Sequence, residues 1–210
     1  MRILVAGCTG GTGRAVTMLG LAAGHQVTAL ARRPERIDYA HPRLRLVAGD
    51  VRDPLLVAGA VRGQDAVVST LGIGLRRHPT NVYSLGTQNL VKAMRREQVD
   101  RLVVQSSTAL GNRPGEGRVF RGAMAVLHRV LAAPYADMRV METVVRSSGL
   151  DWTLVRAARL TSGPLTGTVR ASVGGQLRAP WSLSRTDCAW WMLDHLTDLS
   201  TYRQPVDVAY

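Results

Sequence analysis

Gly7, Gly10 and Gly13 recur at three-residue spacing within Gly7-Cys8-Thr9-Gly10-Gly11-Thr12-Gly13-Arg14. Glycine tolerates positive φ and admits atoms where a Cβ would otherwise stand. Such a triplet either shapes a tight connection or brings bare backbone against an anion. Its spacing is Gly-x-x-Gly-x-x-Gly rather than Gly-x-Gly-x-x-Gly, so the flanks decide what chemistry it offers. Ile3 to Ala6 is a short apolar run that reads as a buried strand; Ala15 to Ala23 carries apolar residues at helical spacing and closes at Gly24. A helix opening directly behind a strand presents free N–H groups and a positive dipole end. That combination suits a dinucleotide pyrophosphate, with Gly7 and Gly10 allowing the approach and Gly13 letting the helix pack closely on the strand.

Further residues able to do chemistry follow the later strands. Gln26 to Ala31 reads as a second strand, and the residues behind it are Arg32-Arg33-Pro34, with no acid. An acid at that place bonds a ribose 2′-hydroxyl and an arginine accommodates a 2′-phosphate, so NADP(H) is expected over NAD(H); the other reading of Arg32 and Arg33 is a solvated loop. Leu44 to Ala48 is a third strand leading to Gly49-Asp50-Val51, where Asp50 could cap a turn, and Asp53-Pro54 has the form of a helix start. Ala66 to Thr70 leads to Leu71-Gly72-Ile73-Gly74, where glycine lets backbone lie against the nicotinamide half of a cofactor. Arg101 to Gln105 delivers Ser106-Ser107-Thr108, whose hydroxyls could bond a substrate oxygen or a carboxamide.

The loop from Gly7 to Arg14 resembles the Gly-Ala-Thr-Gly-x-Thr-Gly loop of atypical short-chain dehydrogenase/reductases, in the NmrA-like branch that includes the biliverdin-IXβ/flavin reductases. Ser148-Gly-Leu-Asp-Trp-Thr-Leu-Val-Arg156 is similar to a Ser-Gly-Leu-x-Tyr/Trp-Thr-Ile-Val-Arg-Pro segment of the same proteins, and Leu160 to Gly167 to the loop behind it. The resemblance implies an α/β, Rossmann-like, doubly wound parallel sheet forming a single domain over residues 1–210, with residues 157–185 supplying a small substrate-side part. It places Gly7, Thr9, Gly10, Gly11, Thr12 and Gly13 on the pyrophosphate, Arg32 on the 2′-phosphate with Arg14 or Arg33 beside it, Asp50 and Val51 on the adenine, and Leu71 and Gly72 on the nicotinamide ribose.

Carbonyl-reducing members of that superfamily use a serine beside Tyr-x-x-x-Lys, the lysine lowering the phenol pKa. No tyrosine of this chain has a lysine four residues on: Tyr135 is followed by Arg139, and Phe120 to Met124 has the spacing without the functional groups. Ala157-Ala158 also replaces the usual Pro-Gly or Pro-Pro. A flat acceptor needs chiefly a stacked geometry over the nicotinamide. The expected activity is therefore NADPH-dependent hydride transfer to a flavin, a quinone or a related metabolite, with Ser107 or Thr108 as the polar catalytic group. The alternatives are a non-catalytic NADP(H) sensor and a narrow biosynthetic reductase or isomerase.

The remaining segments read as scaffold. Asn81 to Arg96 is a long helix; Val119 to Ala132 and Tyr135 to Ser148 are expected as two helices divided at Pro134, after a Gly111 to Arg118 loop that is either a lid or a surface connection. Arg159 faces either substrate or solvent. Val169 to Ala171 and Gln176 to Pro180 suggest a hairpin around Gly174-Gly175, Trp181 either a core residue or a roof over the substrate, Ser184 to Asp187 a helix start, and Pro205 to Tyr210 a last strand.

The 210 residues carry 27 basic against 15 acidic side chains, a net charge of +12. The arginines are dispersed without a basic tail or aromatic-interleaved run, so an anionic cofactor is expected and nucleic acid is not. Cys8 and Cys188 lack metal-ligand spacing, and neither a metal nor a disulfide framework is expected. No apolar run reaches membrane-spanning or signal-peptide length, so the expected protein is cytoplasmic, a monomer or dimer acting on a small molecule.

Overall fold

A computed structural model describes residues 1–74, 78–111, 122, 125 and 129–210. Five parallel strands and three helices open the chain. Strand β1 is Arg2–Ala6, helix α1 Gly11–Ala22, β2 Gln26–Ala31, β3 Leu44–Ala48, α2 Pro54–Val61, β4 Ala66–Ser69, α3 Val82–Glu97 and β5 Arg101–Ser107. Helix α4 is Ala132–Arg146, β6 Asp151–Ala157, β7 Arg159–Thr161, β8 Arg170–Val173, β9 Ser182–Ser184, α5 Arg185–Asp194 and β10 Gln204–Ala209. Eight of the described strands form a sheet in the order β3-β2-β1-β4-β5-β6-β10-β8, parallel throughout except for β8 against β10, and β7 and β9 pair in parallel as a second, two-stranded sheet. This is a single-domain, Rossmann-like α/β fold.

Alternation along β1 shows how the sheet is buried on both faces. Leu4 and Ala6 point into the cluster under α2, α3 and α4; Ile3 and Val5 point into the cluster under α1 and α5. A strand covered on both sides reads as a continuous apolar run, as Ile3 to Ala6 does. The order reverses between β1 and β4, where β1 pairs with β2 on one side and β4 on the other. A crevice opens at such a point beyond the strands' carboxyl ends.

Two expected elements are corrected. Helix α4 runs unbroken through Pro134, which sits in its first turn, where a missing N–H forfeits no intrahelical bond. Of the segment expected as the preceding helix, Gly122, Ala125, Arg129 and Val130 are helical and a turn at Leu131 separates them from α4; its other residues before Val130, and most of the Gly111 to Arg118 loop, lie outside the described residues. The hairpin around Gly174-Gly175 is not formed: β8 pairs antiparallel with β10 instead, continuing through Gly174 N–H to Pro205 C=O at 2.8 Å. The free edge of β10 offers β8 a ready ladder, whereas Ala179 at φ +46° and Pro180 interrupt any strand over 176–180. Trp181 is 67% exposed, against the core reading, while Trp191 is buried and Trp190 partly so. Cys8 and Cys188 are both buried free thiols. No helix among the described residues is long and apolar enough to cross a membrane.

Glycine placement yields the first prediction. A Cβ on Gly13 would stand 2.2 Å from the Gly7 carbonyl oxygen and 2.6 Å from Thr70 Oγ1, whereas a Cβ on Gly59, exposed in α2, meets nothing within 4 Å. Thermal unfolding of Gly13→Ala is expected to show a loss of about 2–3 kcal/mol or more, and Gly59→Ala a gain of about 0.5–1 kcal/mol from helix propensity and lost chain entropy.

Candidate functional site

The crevice at the strand ends is a cleft of about 770 Å³, within the range of small-molecule sites. Its floor is the turn between β1 and α1. Gly7 has φ +89°, and a Cβ there would meet the Thr70 carbonyl oxygen at 2.6 Å, so β4 approaches the turn closely. Gly13 sits below the cleft wall rather than in it, packing the first turn of α1 onto Gly7. Cys8 turns inward and its thiol donates to the Leu30 carbonyl at 3.3 Å, tying the loop to β2. The N-cap of α1 is Gly10, which has no capping side chain, and the first turn contains no acid. Helix geometry thus leaves first-turn N–H groups without intrahelical acceptors at a positive dipole end. Gly7, Thr9, Gly10, Gly11 and Thr12 line the cleft there.

Arg32, Arg33 and Arg36 line one end, just past β2, where Pro34–Arg36 form a 3₁₀ turn. Arg14 is not brought in: it pairs with Asp38 at 2.7 Å and lies over the Tyr39 ring. Asp50 lines the cleft and also caps its own turn, accepting from the Arg52 backbone N–H at 2.9 Å and from the Arg52 guanidinium at 2.8 Å. The Arg52 bond holds the Asp50 carboxyl below the usual range, with Arg32 adding to the effect. Val51 is set by α3, since Asn89 donates to its carbonyl at 3.1 Å and Gly86 leaves room for its side chain and that of Leu71. The helix read as scaffold therefore shapes the cleft.

The other end is lined by Leu71, Gly72, Ile73, Tyr83, Gln105, Met138 and Leu160, while Arg185 lines the cleft beside Gly11 at the start of α1. The buried Oε1 of Gln105 has no hydrogen-bond partner among the described residues, an acceptor that a ligand amide would satisfy. Ser107 and Thr108 lie just outside this lining. Ser107 accepts from Ala109 N–H at 3.2 Å and hydrogen-bonds Tyr135. Burial raises the Tyr135 pKa, offset in part by Ser107 and by Arg139, so the phenol stays protonated at neutral pH. Ser106 donates to the buried Glu142, of the same helix as Tyr135, at 2.7 Å, and Arg156 Nε also contacts Glu142 at 2.9 Å. Burial alone would raise the Glu142 pKa; the bonds from Arg156 and Ser106 outweigh it and hold it low. Arg159 is exposed and does not line the cleft.

The side of the cleft nearest α5 is fixed by Asp187. Its carboxylate accepts from the backbone N–H groups of Thr166 and Gly167, each at 2.9 Å, and from the hydroxyls of Ser184 and Tyr210. Burial would raise its pKa, but these donors outweigh it and hold the carboxyl at about 2.

Residues 7–199 match the family described as NAD(P)H-binding. The chain belongs to that family. An uncharacterized chloroplastic protein of Arabidopsis thaliana is 30% identical over 176 residues, 80% of this chain and 62% of that one. A (4-alkanoyl-5-oxo-2,5-dihydrofuran-3-yl)methyl phosphate reductase of Streptomyces griseus is 29% identical over 188 residues, 89% of this chain and 57% of that one. The chain thus spans about 60% of the length of these relatives. Among solved structures, a short-chain dehydrogenase/reductase of Veillonella parvula in complex with NADP superposes with a TM-score of 0.81 at 20% identity, covering 100% of this chain and 94% of that one.

Arg36, Gln105, Tyr83, Met138, Leu160 and Arg185 line the cleft without having been singled out from the sequence. Arg36 carried a usable signal, one 3₁₀ turn beyond Arg32; Arg185 sits inside a helix-start motif that hid it.

Because the Asp187 carboxyl is held below its unfolded value of ~3.9, its stabilising contribution is full above pH ~4 and is lost as pH falls toward its folded value of about 2. Asp187→Asn is expected to cost about 1.5–3 kcal/mol at pH 7. In denaturant titrations the gap from the unsubstituted protein should narrow below pH ~4.

Proposed function

We propose that this chain is an NADPH-dependent oxidoreductase that passes hydride to a flat conjugated acceptor such as a flavin, a quinone or a related metabolite. The observation that carries the reading is the cleft's charge. Its adenine-side end gathers Arg32, Arg33 and Arg36, and its one acid there, Asp50, is already neutralised by Arg52. That balance favours a 2′-phosphate over a bare ribose. In this reading Gly7, Thr9, Gly10, Gly11 and Thr12 cradle the pyrophosphate over the α1 N-terminus, with Gly13 as the packing glycine beneath. Arg32, helped by Arg33, holds the 2′-phosphate; Asp50 and Val51 take the adenine; Leu71 and Gly72 lie along the nicotinamide ribose. Gln105 Oε1 accepts from the carboxamide. The reduced nicotinamide supplies the hydride, and Tyr83, Met138 and Leu160 form an apolar shelf for the acceptor's ring.

Ser107 and Thr108 are the proposed polar groups at the reacting end. The Ser107–Tyr135 bond also favours a second reading, a narrow reductase of a carbonyl or enone metabolite. A protonated phenol beside a serine hydroxyl suits proton donation to a developing alkoxide, and Arg139 stands where a lysine stands in carbonyl-reducing relatives. The Streptomyces griseus relative, named as the reductase of an unsaturated lactone phosphate, is compatible with it.

The test is oxidation of NADPH and NADH with FMN, FAD and simple quinones as acceptors. Saturable turnover with NADPH is expected, and Arg32→Ala should raise the NADPH KM about 10- to 100-fold while leaving NADH nearly unchanged. Tyr135→Phe separates the two readings: flavin or quinone reduction should persist, whereas carbonyl reduction would fall by about 10²–10⁴. Binding of NADPH with no acceptor reduced would defeat the flavin/quinone reading.

A further inference from the structure

Arg185 occupies a position that its own helix does not favour. It is the first residue of α5, and a cation at a helix N-terminus opposes the dipole. Its backbone has little freedom, because the flanking Ser184 and Asp187 are buried. Ser184 accepts from Asp187 N–H at 2.9 Å, Ser184 N–H donates to the Tyr210 hydroxyl at 3.1 Å, and Thr186 Oγ1 donates to the Gly163 carbonyl at 2.9 Å. From this fixed point the side chain reaches across the start of α1. A Cβ on Gly11 would fall 2.4 Å from Arg185 Cδ and 3.0 Å from its Nε. The arginine stem therefore lies over the first residue of the helix whose free N–H groups face the cleft.

The electrostatics of that arrangement are one-sided. Among the described residues, Arg185 has neither a carboxylate partner nor a hydrogen bond, although it is only partly exposed and packs into a wall of the cleft. It faces the positive end of α1, which has no acid in its first turn and no side-chain cap. Like charges held close together in a partly desolvated cleft repel, and an anion between them converts that repulsion into attraction from both sides. Glycine at position 11 is what gives the guanidinium access, because any larger residue would strike its stem.

We propose that Arg185 is the second jaw of the pyrophosphate site, gripping from the α5 side the diphosphate that the N-terminus of α1 holds from below. The inference rests on the dinucleotide reading and adds to it a contact from the far side of the cleft. Asp187 acts as the positioning residue that fixes the base of the arm. A pyrophosphate is common to NADP and NAD, so the contact contributes to affinity for both and does not select between them. Arg32, reaching the 2′-phosphate, has the opposite signature.

The test is equilibrium titration of the full chain and of Arg185→Ala, Arg185→Lys and Arg32→Ala with NADP⁺, NAD⁺ and 2′-AMP, a probe that carries the adenine and 2′-phosphate but no pyrophosphate. Arg185→Ala is expected to weaken NADP⁺ and NAD⁺ by a similar factor of about 10–100 and to leave 2′-AMP unchanged, which also reports an intact fold. Arg185→Lys should fall between, keeping charge but losing the fork. Arg32→Ala should weaken NADP⁺ and 2′-AMP and spare NAD⁺. Unchanged dinucleotide binding by Arg185→Ala, or loss of 2′-AMP along with the dinucleotides, overturns the clamp while leaving the cofactor assignment standing. If the unsubstituted protein binds neither dinucleotide, the cofactor reading itself fails and the clamp with it.

Discussion

Everything in this protein's cleft depends on one close approach, the packing of the first turn of α1 against the backbone at the end of β1. Gly13 lies so near the Gly7 carbonyl and Thr70 that no side chain fits between them, and Gly7 itself takes a left-handed turn under the Thr70 carbonyl. This contact aims an uncapped helix N-terminus at the crevice where the sheet order reverses. A side-chain cap there would satisfy the N–H groups internally and an acid would cancel the dipole. The loop has neither, so its unsatisfied donors are available to a ligand.

The charges around that point follow the same logic. Arginines enter from the end of β2 and from the start of α5, while the acids nearby are occupied: Asp50 by Arg52, Asp38 by Arg14, and Asp187 by amides and hydroxyls. Of the 27 basic side chains, Arg32, Arg33, Arg36 and Arg185 line the cleft. Opposite the arginine end the wall turns apolar, with Tyr83, Met138 and Leu160 around the lone amide of Gln105. A ligand charged at one end and flat at the other matches that gradient.

The parallel strands and the glycine turn behind β1 were legible in the sequence because each signal is local. Ile3 to Ala6 is apolar on both faces, Asp53-Pro54 starts α2 with Asp53 accepting from Leu55 N–H, and glycines fall where backbone must bend. What local patterns do not carry is the long-range placement. Pro134 looked like a break, yet in a first turn it forfeits no bond. Gly174-Gly175 looked like a hairpin turn, yet the partner of β8 comes from more than thirty residues on, Val173 pairing with Val206. Arg14 looked like a phosphate ligand by its nearness to the loop, but its position on α1 turns it toward Asp38 and Tyr39. Arg185 is brought to the loop only by the packing of α5 beside α1, which no sequence spacing reveals.

The most direct test of this account is a calorimetric titration of the protein with NADP⁺ at low and at high salt. The uncapped helix and its arginines predict saturable binding to one site per chain, weakening as salt rises. A protein that melts cooperatively yet gives no saturable heat with millimolar NADP⁺ at low salt would contradict it.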